Sequence, residues 1–488
     1  QCENWIVDPL NESYFNPNLQ LWYRQTIAHN TVVLNQTSQT WANGHSIFFG
    51  TLPGLQVASG GSEAVYPGAK LTRTLLQVGD YFLDLFDVSC LEKRIIDWPL
   101  HSFGKLIING VTLVRQPDDR FGKQPGTPGY DQLTRIYAGK TNGAWSGVFT
   151  REQVGNLRVM AVAEPETEVF QAITPPIGGF YKQMVKDQRR LPMVFSRRVI
   201  DSTRFAHLIQ AHEKDPTVSS FEKGTEPNTY RVSRDTGEDI LYADVVRSTY
   251  WLLRREADEP TMLSGFGVKE VKSGKVMYFS SDFPLPEFEC RWDGERLLVL
   301  APLQFGQIKV LAPDVMKVQL GGKPYPFRRD GDYILIRQTS GVAVEVVSPQ
   351  DNTLFLGMKN QVTVRVWNPT NSPLSGRITL SLPSDWSERL QSQLTWWGGV
   401  VNLKATNKGP VERKIRPPSY RKDVTWIDGL SSEIKSIPAG GVETFVLPVE
   451  VPNDAARVIS EVLISFGSEI VQKRLRVTAP VSADILMP

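Results

Sequence analysis

The sequence predicts an all-β protein, with a large stacked antiparallel β-sandwich followed by a smaller one. Three observations lead there. Short runs rich in β-branched and aromatic residues recur along the chain, most with Gly, Pro, Asp or Asn close by. Helical periodicity is nearly absent, and Ser387–Gln393 is the best short candidate. The character changes near residue 350, where Ser348-Pro349-Gln350-Asp351-Asn352 makes a linker-like break.

Taken in order, the first notable stretch is Tyr23–Val33. It holds Arg24, His29 and Asn30 and then runs into Thr31-Val32-Val33-Leu34. This predicts a strand with a polar working end and a core-forming end. On such a strand Arg24 and His29 differ by an odd number and face opposite ways. Leu71–Val78 and Tyr81–Val88 flank Gly79-Asp80, which predicts a hairpin. Further strand-like runs follow at 105–108, 157–162, 205–209, 247–253, 275–279 and 297–300. Tyr81 and Trp98 fit a core, while His207 and His212 fit opposite faces of one strand. Gln116–Asn142 and Pro175–Arg190, rich in Gly, Pro and charge, predict long surface loops. His45, after Asn43-Gly44, is expected on a loop beside a cleft. Beyond the break, Gln361–Trp367, Gly376–Leu382, Val442–Val449 and Val462–Phe466 alternate apolar and polar positions, as in an Ig-like sandwich. The expected domains are 1–347, the large β-sheet domain, and 348–488, the Ig-like accessory domain.

Composition narrows the function classes. The chain has 488 residues and a net charge of +2, from 54 basic and 52 acidic side chains. That balance supplies no long-range field for nucleic acid. No apolar run approaches the roughly 18 residues of a membrane-spanning helix. Cys2, Cys90 and Cys290 are far apart and odd in number, so three buried thiols are expected, with one long-range disulfide as the alternative, rather than a disulfide framework or a metal cluster. The chain opens Gln1-Cys2-Glu3, as a mature or truncated product would.

Two blocks carry a resemblance. Leu21-Trp-Tyr-Arg-Gln-Thr-Ile-Ala-His-Asn-Thr-Val-Val33, with Gln39, resembles the "Tyr/Phe-Arg-x-Thr-x-Ala-His-Asn-Thr-Val … Gln" signature of heparinase II/III-like polysaccharide lyases. Tyr66-Pro-Gly, Arg73-Thr-Leu-Leu, Tyr81–Val88 and Asp97-Trp98-Pro-Leu-His101-Ser-Phe-Gly104 follow in the family's order. The resemblance implies an α/α toroid preceding stacked sheets, with the active site between them. On that resemblance this chain is the β-sheet half, and the toroid lies outside it. The tail, with Asn368-Pro-Thr-Asn, Pro373-Leu-Ser-Gly376 and Leu382-Pro-Ser-Asp-Trp386, looks like an Ig-like module appended to glycan-active enzymes.

The chemistry implied is β-elimination on a uronate-containing polysaccharide, alginate or a glycosaminoglycan. The proton removed lies α to a carboxylate and is not acidic until that charge is neutralised. Such a site needs a donor at the carboxylate, a base at the ring carbon and an acid for the leaving oxygen. The resemblance makes His29 the catalytic candidate, since a histidine titrates near neutrality. Arg24 is a candidate bidentate donor to an acidic sugar. Asn30, Tyr23 and His101 complete the candidate substrate-binding set. The balanced charge disfavours a heavily sulfated polymer, although Lys182, Lys186, Arg189 and Arg190 form a local basic cluster.

No redox or nucleotide cofactor is expected. Relatives carry a structural zinc held by two His and an Asp, but the position seven residues before His101 is Arg94, which cannot ligate. With only Glu63 or Asp84 as acidic partner, a zinc site is disfavoured. The expected partners are an acidic polysaccharide and an N-terminal toroid domain or chain. The expected location is secreted, periplasmic or cell-surface. The competing expectation is a non-catalytic carbohydrate-binding or scaffold β-sandwich, because His29 alone cannot act as acid, base and neutraliser.

Overall fold

The computed structural model describes residues 6, 18–117, 121, 128–177, 190–302, 305–338, 343–348, 353–355, 359–368, 372–383, 395–396, 399–400, 426–427, 431–450, 459–466 and 469–478. The expected helix at Ser387–Gln393, Cys2, and Lys182, Lys186 and Arg189 lie outside these. Within them the chain is a succession of mainly antiparallel sheets, as the sequence pattern predicts.

The first sheet contains β1 Val33–Leu34, β2 His45–Thr51, β3 Gln56–Ser62, β4 Ala69–Val78, β5 Tyr81–His101, β6 Lys105–Asn109, β7 Val114–Arg115, β8 Thr134–Thr141, β9 Trp145–Arg151, β10 Gly155–Ala161, β11 Thr167–Pro176 and β12 Arg190–His212. The β4–β5 hairpin forms at the expected place, with Val78 opposite Tyr81 and Gly79 at a φ of +59°. A left-handed turn position suits glycine because no Cβ collides there.

β5 and β12 are the spine, at 21 and 23 residues. They pair from Tyr81–Gln210 to His101–Met193, but the register jumps: Ile200 faces Arg94 and Ser202 faces Ser89. The extra residues on β5 make an irregularity that bends both strands. The sheet therefore folds over itself, and Trp98 Nε1 donates to Asp84 Oδ2 of the same strand at 3.3 Å. The space between the layers is filled by Phe86, Ile96, Trp98, Phe149, Val194 and Phe205. Tyr81 and Trp98 are core residues, each about 1% exposed.

The second sheet begins with β13 Val218–Lys223, β14 Thr229–Arg234, β15 Gly237–Asp244, β16 Thr249–Glu256 and β17 Glu259–Phe266. Its apolar face meets β2, β4 and β5 through Leu76, Leu83, Val232, Leu241, Tyr250 and Leu252. A third sheet, from Val268–Ser273 to Tyr333–Arg337, covers its other face. After residue 338 the strands form separate sheets, and pairing there starts with Ala343–Ser348 against Lys359–Trp367. In the latter strand Val362, Val364 and Val366 are buried in strict alternation.

Three expectations are corrected. Tyr23–Val33 is not a strand: Leu19–Tyr23 is a π-helical turn, Thr26–Ala28 a 3₁₀ turn, and only Val33–Leu34 pairs. Local bonds favour the turns, since Gln25 N donates to Trp22 O at 2.8 Å and Thr26 N to Ser38 Oγ at 3.0 Å. The parity argument about Arg24 and His29 therefore does not apply. Gln116–Asn142 is not one long loop, because β8 and the 3₁₀ turn Tyr130–Gln132 occupy its second half. There Leu133, Ile136 and Ala138 are buried. His45 begins β2 rather than sitting on a loop.

Candidate active site

The His29 turn is wedged against the open edge of β5. In an antiparallel strand alternate N–H groups point to the same edge. On β5 those are Ile95, Asp97, Pro99 and His101. β1 covers only the middle, with Val33 opposite Asp97. On either side an asparagine takes over: Ile95 N donates to Asn35 Oδ1 at 3.0 Å, and His101 N to Asn30 Oδ1 at 2.9 Å. Pro99 between them has no N–H to satisfy. The catalytic candidate's neighbour is thus a backbone mimic that seats the turn.

His29 itself is half-buried. Its Nε2 lies 3.0 Å from Tyr23 O. A carbonyl only accepts, so Nε2 carries the proton and the lone pair of the neutral ring is on Nδ1. Tyr23 is buried, and its hydroxyl donates to Pro176 O at 2.6 Å, which fixes the carbonyl that orients His29.

A buried ion pair underlies the turn. Arg73 Nε and Nη2 grip Asp84 at 2.8 and 2.6 Å, while Nη1 donates to Asn30 O at 2.8 Å. Asp84 is fully buried, and its Oδ2 also accepts from Trp98. Trp98 in turn stacks on His207, with ring centroids 3.5 Å apart. Burial foremost, then the positive charges of Arg198 and Arg73, hold His207 well below its ordinary pKa of 6.5. His207 is therefore a neutral ring in the core, and His212, on the other face, is half-buried.

The structure thus brings Tyr23, His29, Asn30 and the His101 backbone into one connected unit. Arg24 is exposed and ends the first turn, its N–H on Leu19 O at 3.1 Å. The His101 side chain is fully buried, so its contribution here is its N–H to Asn30. Arg73 appears in the sequence only within the resemblance and Asp84 only as a possible metal partner, yet the hairpin register contains the signal that pairs them. With Val78 opposite Tyr81, Arg73 and Asp84 are diagonal neighbours on one face. A second buried pair, Arg197 Nε and Nη2 to Asp97 at 2.7 and 2.8 Å, gave no such signal, because 100 residues separate the partners.

The residues present do not fit a zinc ion. Both Asp84 oxygens are taken by Arg73 and Trp98, Glu63 faces His45 and Lys70 at 3.7 Å each, and Arg94 donates to Pro67 O. Among the described residues no group of three His, Cys, Asp or Glu converges as metal ligands. Cys90 and Cys290 are free thiols.

An alginate lyase of Stenotrophomonas maltophilia is 33% identical over 121 residues, which is 22% of this chain and 16% of that protein. The heparan sulfate lyase of Pedobacter heparinus aligns over 50% of this chain and 35% of its own, at 12% identity and a TM-score of 0.36. A heparinase III aligns over 50% and 34%, at 14% identity and a TM-score of 0.35. At these scores the structural likeness adds nothing to the sequence match. The matches span about a third or less of the length of these relatives. Residues 1–165 match the family described as heparinase II/III-like, C-terminal, a segment that holds the His29 turn, the β4–β5 hairpin and both buried ion pairs' carboxylates. Residues 1–165 are thus similar to the C-terminal portion of heparinase II/III-like proteins.

Proposed function

We propose that the chain supplies one wall of a polysaccharide lyase site, with His29 as its acid–base group and a toroid, in the same protein or a partner, as the other wall. The substrate is a uronate-containing polymer, with alginate favoured by the curated relative. The observation that carries the proposal is the seating of His29. Its Nε2 proton is held by the Tyr23 carbonyl, which directs basicity to Nδ1. As a base, Nδ1 takes the proton α to the uronate carboxylate. The ring protonated in that step then donates to the leaving glycosidic oxygen, and the carboxylate is neutralised by a donor other than His29. Arg24, exposed at the end of the first turn, is the proposed charge partner for the polymer. Asn30, Tyr23 and the His101 N–H position the histidine. The chemistry draws on no redox or nucleotide cofactor. Action on a polymer fits a secreted, periplasmic or cell-surface location, and no described helix is long and apolar enough to cross a membrane.

The test is ultraviolet absorbance of the unsaturated uronate product, on alginate and on heparan sulfate. The protein carrying its toroid should be active, and His29→Ala should lower kcat by at least about 10²-fold, the usual worth of a positioned proton-transfer group. An unchanged melting profile must accompany that loss. Full activity in His29→Ala would sink the assignment. Polymer binding without product in the toroid-bearing protein would favour the non-catalytic binding module.

A further inference from the structure

We propose that a cavity at the bend of β5 and β12, facing the turn between β13 and β14, is a binding site for a neutral saccharide, separate from the His29 turn. The cavity measures about 750 Å³. That is within the roughly 300–1,000 Å³ of small-ligand pockets. None of its lining residues belongs to the His29 unit.

Its charges are already spent. Arg204 grips Asp87 with Nε at 2.6 Å and Nη2 at 3.2 Å. Lys223 pairs with Glu164, and Lys70 with Glu63 at 3.7 Å. Glu226 adds a further carboxylate at the rim. An incoming uronate, sulfate or phosphate would meet cations that are each matched by a carboxylate, so nothing in the wall rewards a negative charge. What the wall does offer suits a polyol. Carboxylates accept from sugar hydroxyls, and Ser89, Ser202, Thr203 and Thr225 both donate and accept. Val246 is exposed at the wall, with Val245 and Ile47 beneath, and gives a small apolar surface for the C–H face of a pyranose ring.

The rim is set before any ligand arrives. Arg204 Nη1 donates to Asn228 Oδ1 at 2.9 Å, Ala243 N to Asn228 O at 3.0 Å, and Gly224 N to Thr229 O at 2.9 Å. Asn228 holds a φ of +62°, a left-handed position that Asn tolerates. A loop pinned at both strands loses little freedom on binding. Arg204, on β12, crosses from the first sheet to Asn228 and, at 3.4 Å, to Ala243 O of the second, so the site sits on their seam.

The test is titration of the whole chain with maltose, cellobiose and lactose, and with glucuronic acid as the charged comparison, followed by calorimetry and ligand-observed NMR. At least one neutral disaccharide should bind in the millimolar range, and more tightly than glucuronic acid. Thr225→Trp and Ser202→Trp, both at exposed lining positions, should each weaken binding by at least about tenfold, equivalent to 1.4 kcal/mol. His29→Ala should bind as the parent does. Failure of all three disaccharides overturns the proposal. So does binding that survives both filling variants with the fold intact, or tighter binding of glucuronic acid.

Discussion

At the scale of single residues, the strongest constraints are charges buried as pairs. Asp97 is fully buried, and Arg197 Nε meets it at 2.7 Å while stacking near Phe170 and Phe121, with Tyr130 donating to the same carboxylate. Removing one partner of such a pair strands the other. Arg197→Leu should cost about 3–5 kcal/mol in a urea titration, because Asp97 keeps its desolvation cost without its counter-charge. Adding Asp97→Asn should recover part of the loss, and a strictly additive double variant would refute the coupling. His207 yields a pH prediction. Its folded pKa lies well below 6.5, mainly through burial. Below pH 6.5 the unfolded chain binds a proton that the folded chain refuses, so stability falls as the pH drops through that window. The slope is at most about 1.4 kcal/mol per pH unit. His207→Phe, which keeps a ring against Trp98, should flatten this part of the profile relative to the parent, and parallel profiles would show that the ring is not the titrating group.

At the scale of elements, the edge of β5 explains both the site and the limits of sequence reading. The hairpin was legible because its signal is local: two alternating runs and a Gly-Asp turn. The His29 turn was mistaken for a strand because Thr31-Val32-Val33-Leu34 has strong β character, while the preceding residues are governed by contacts far away in the chain. Gln39 N donates to Thr26 Oγ1, and Asn30 reaches Arg73 and His101. Candidate residues could be picked by type, but which of them touch could not. The asparagine ladder gives a direct test. Asn30→Ala should cost about 1–3 kcal/mol, since it removes the acceptor of the part-buried His101 N–H. Asn35→Ala, whose partner N–H is exposed, should cost much less, because water replaces the lost acceptor. Urea midpoints of the two variants decide the matter, and equal losses would contradict the ladder. The Asn30 variant should also lower kcat in the toroid-bearing protein, through a displaced His29.

At the scale of the whole molecule, the division proposed from the sequence, 1–347 and 348–488, rests on a change of pattern, and contacts across residue 348 allow it to be tested. Trp367, at the end of Lys359–Trp367, packs on Phe283 with ring centroids 4.9 Å apart, against the core of the third sheet. The next residue, Asn368, is fully buried, and its Nδ2 donates to Ile437 O at 3.0 Å and Pro438 O at 3.1 Å. Among the described residues the Trp367 ring thus packs on the third sheet, and the Asn368 amide ties the end of that strand to residues 437 and 438. This asymmetry makes the two substitutions separable. Trp367→Ala removes one contact between residues after 348 and the third sheet, so, if 1–347 and 348–488 are separate units, calorimetry should show transitions that move apart, with coupling reduced by about 1–3 kcal/mol. Asn368→Ala instead leaves the Ile437 and Pro438 carbonyls without that donor inside the second unit, so only its transition should fall, by about 1–3 kcal/mol. The transition carrying the His29 turn should stay in place in the Asn368 variant. If both transitions fell together there, the chain would be one cooperative unit rather than two.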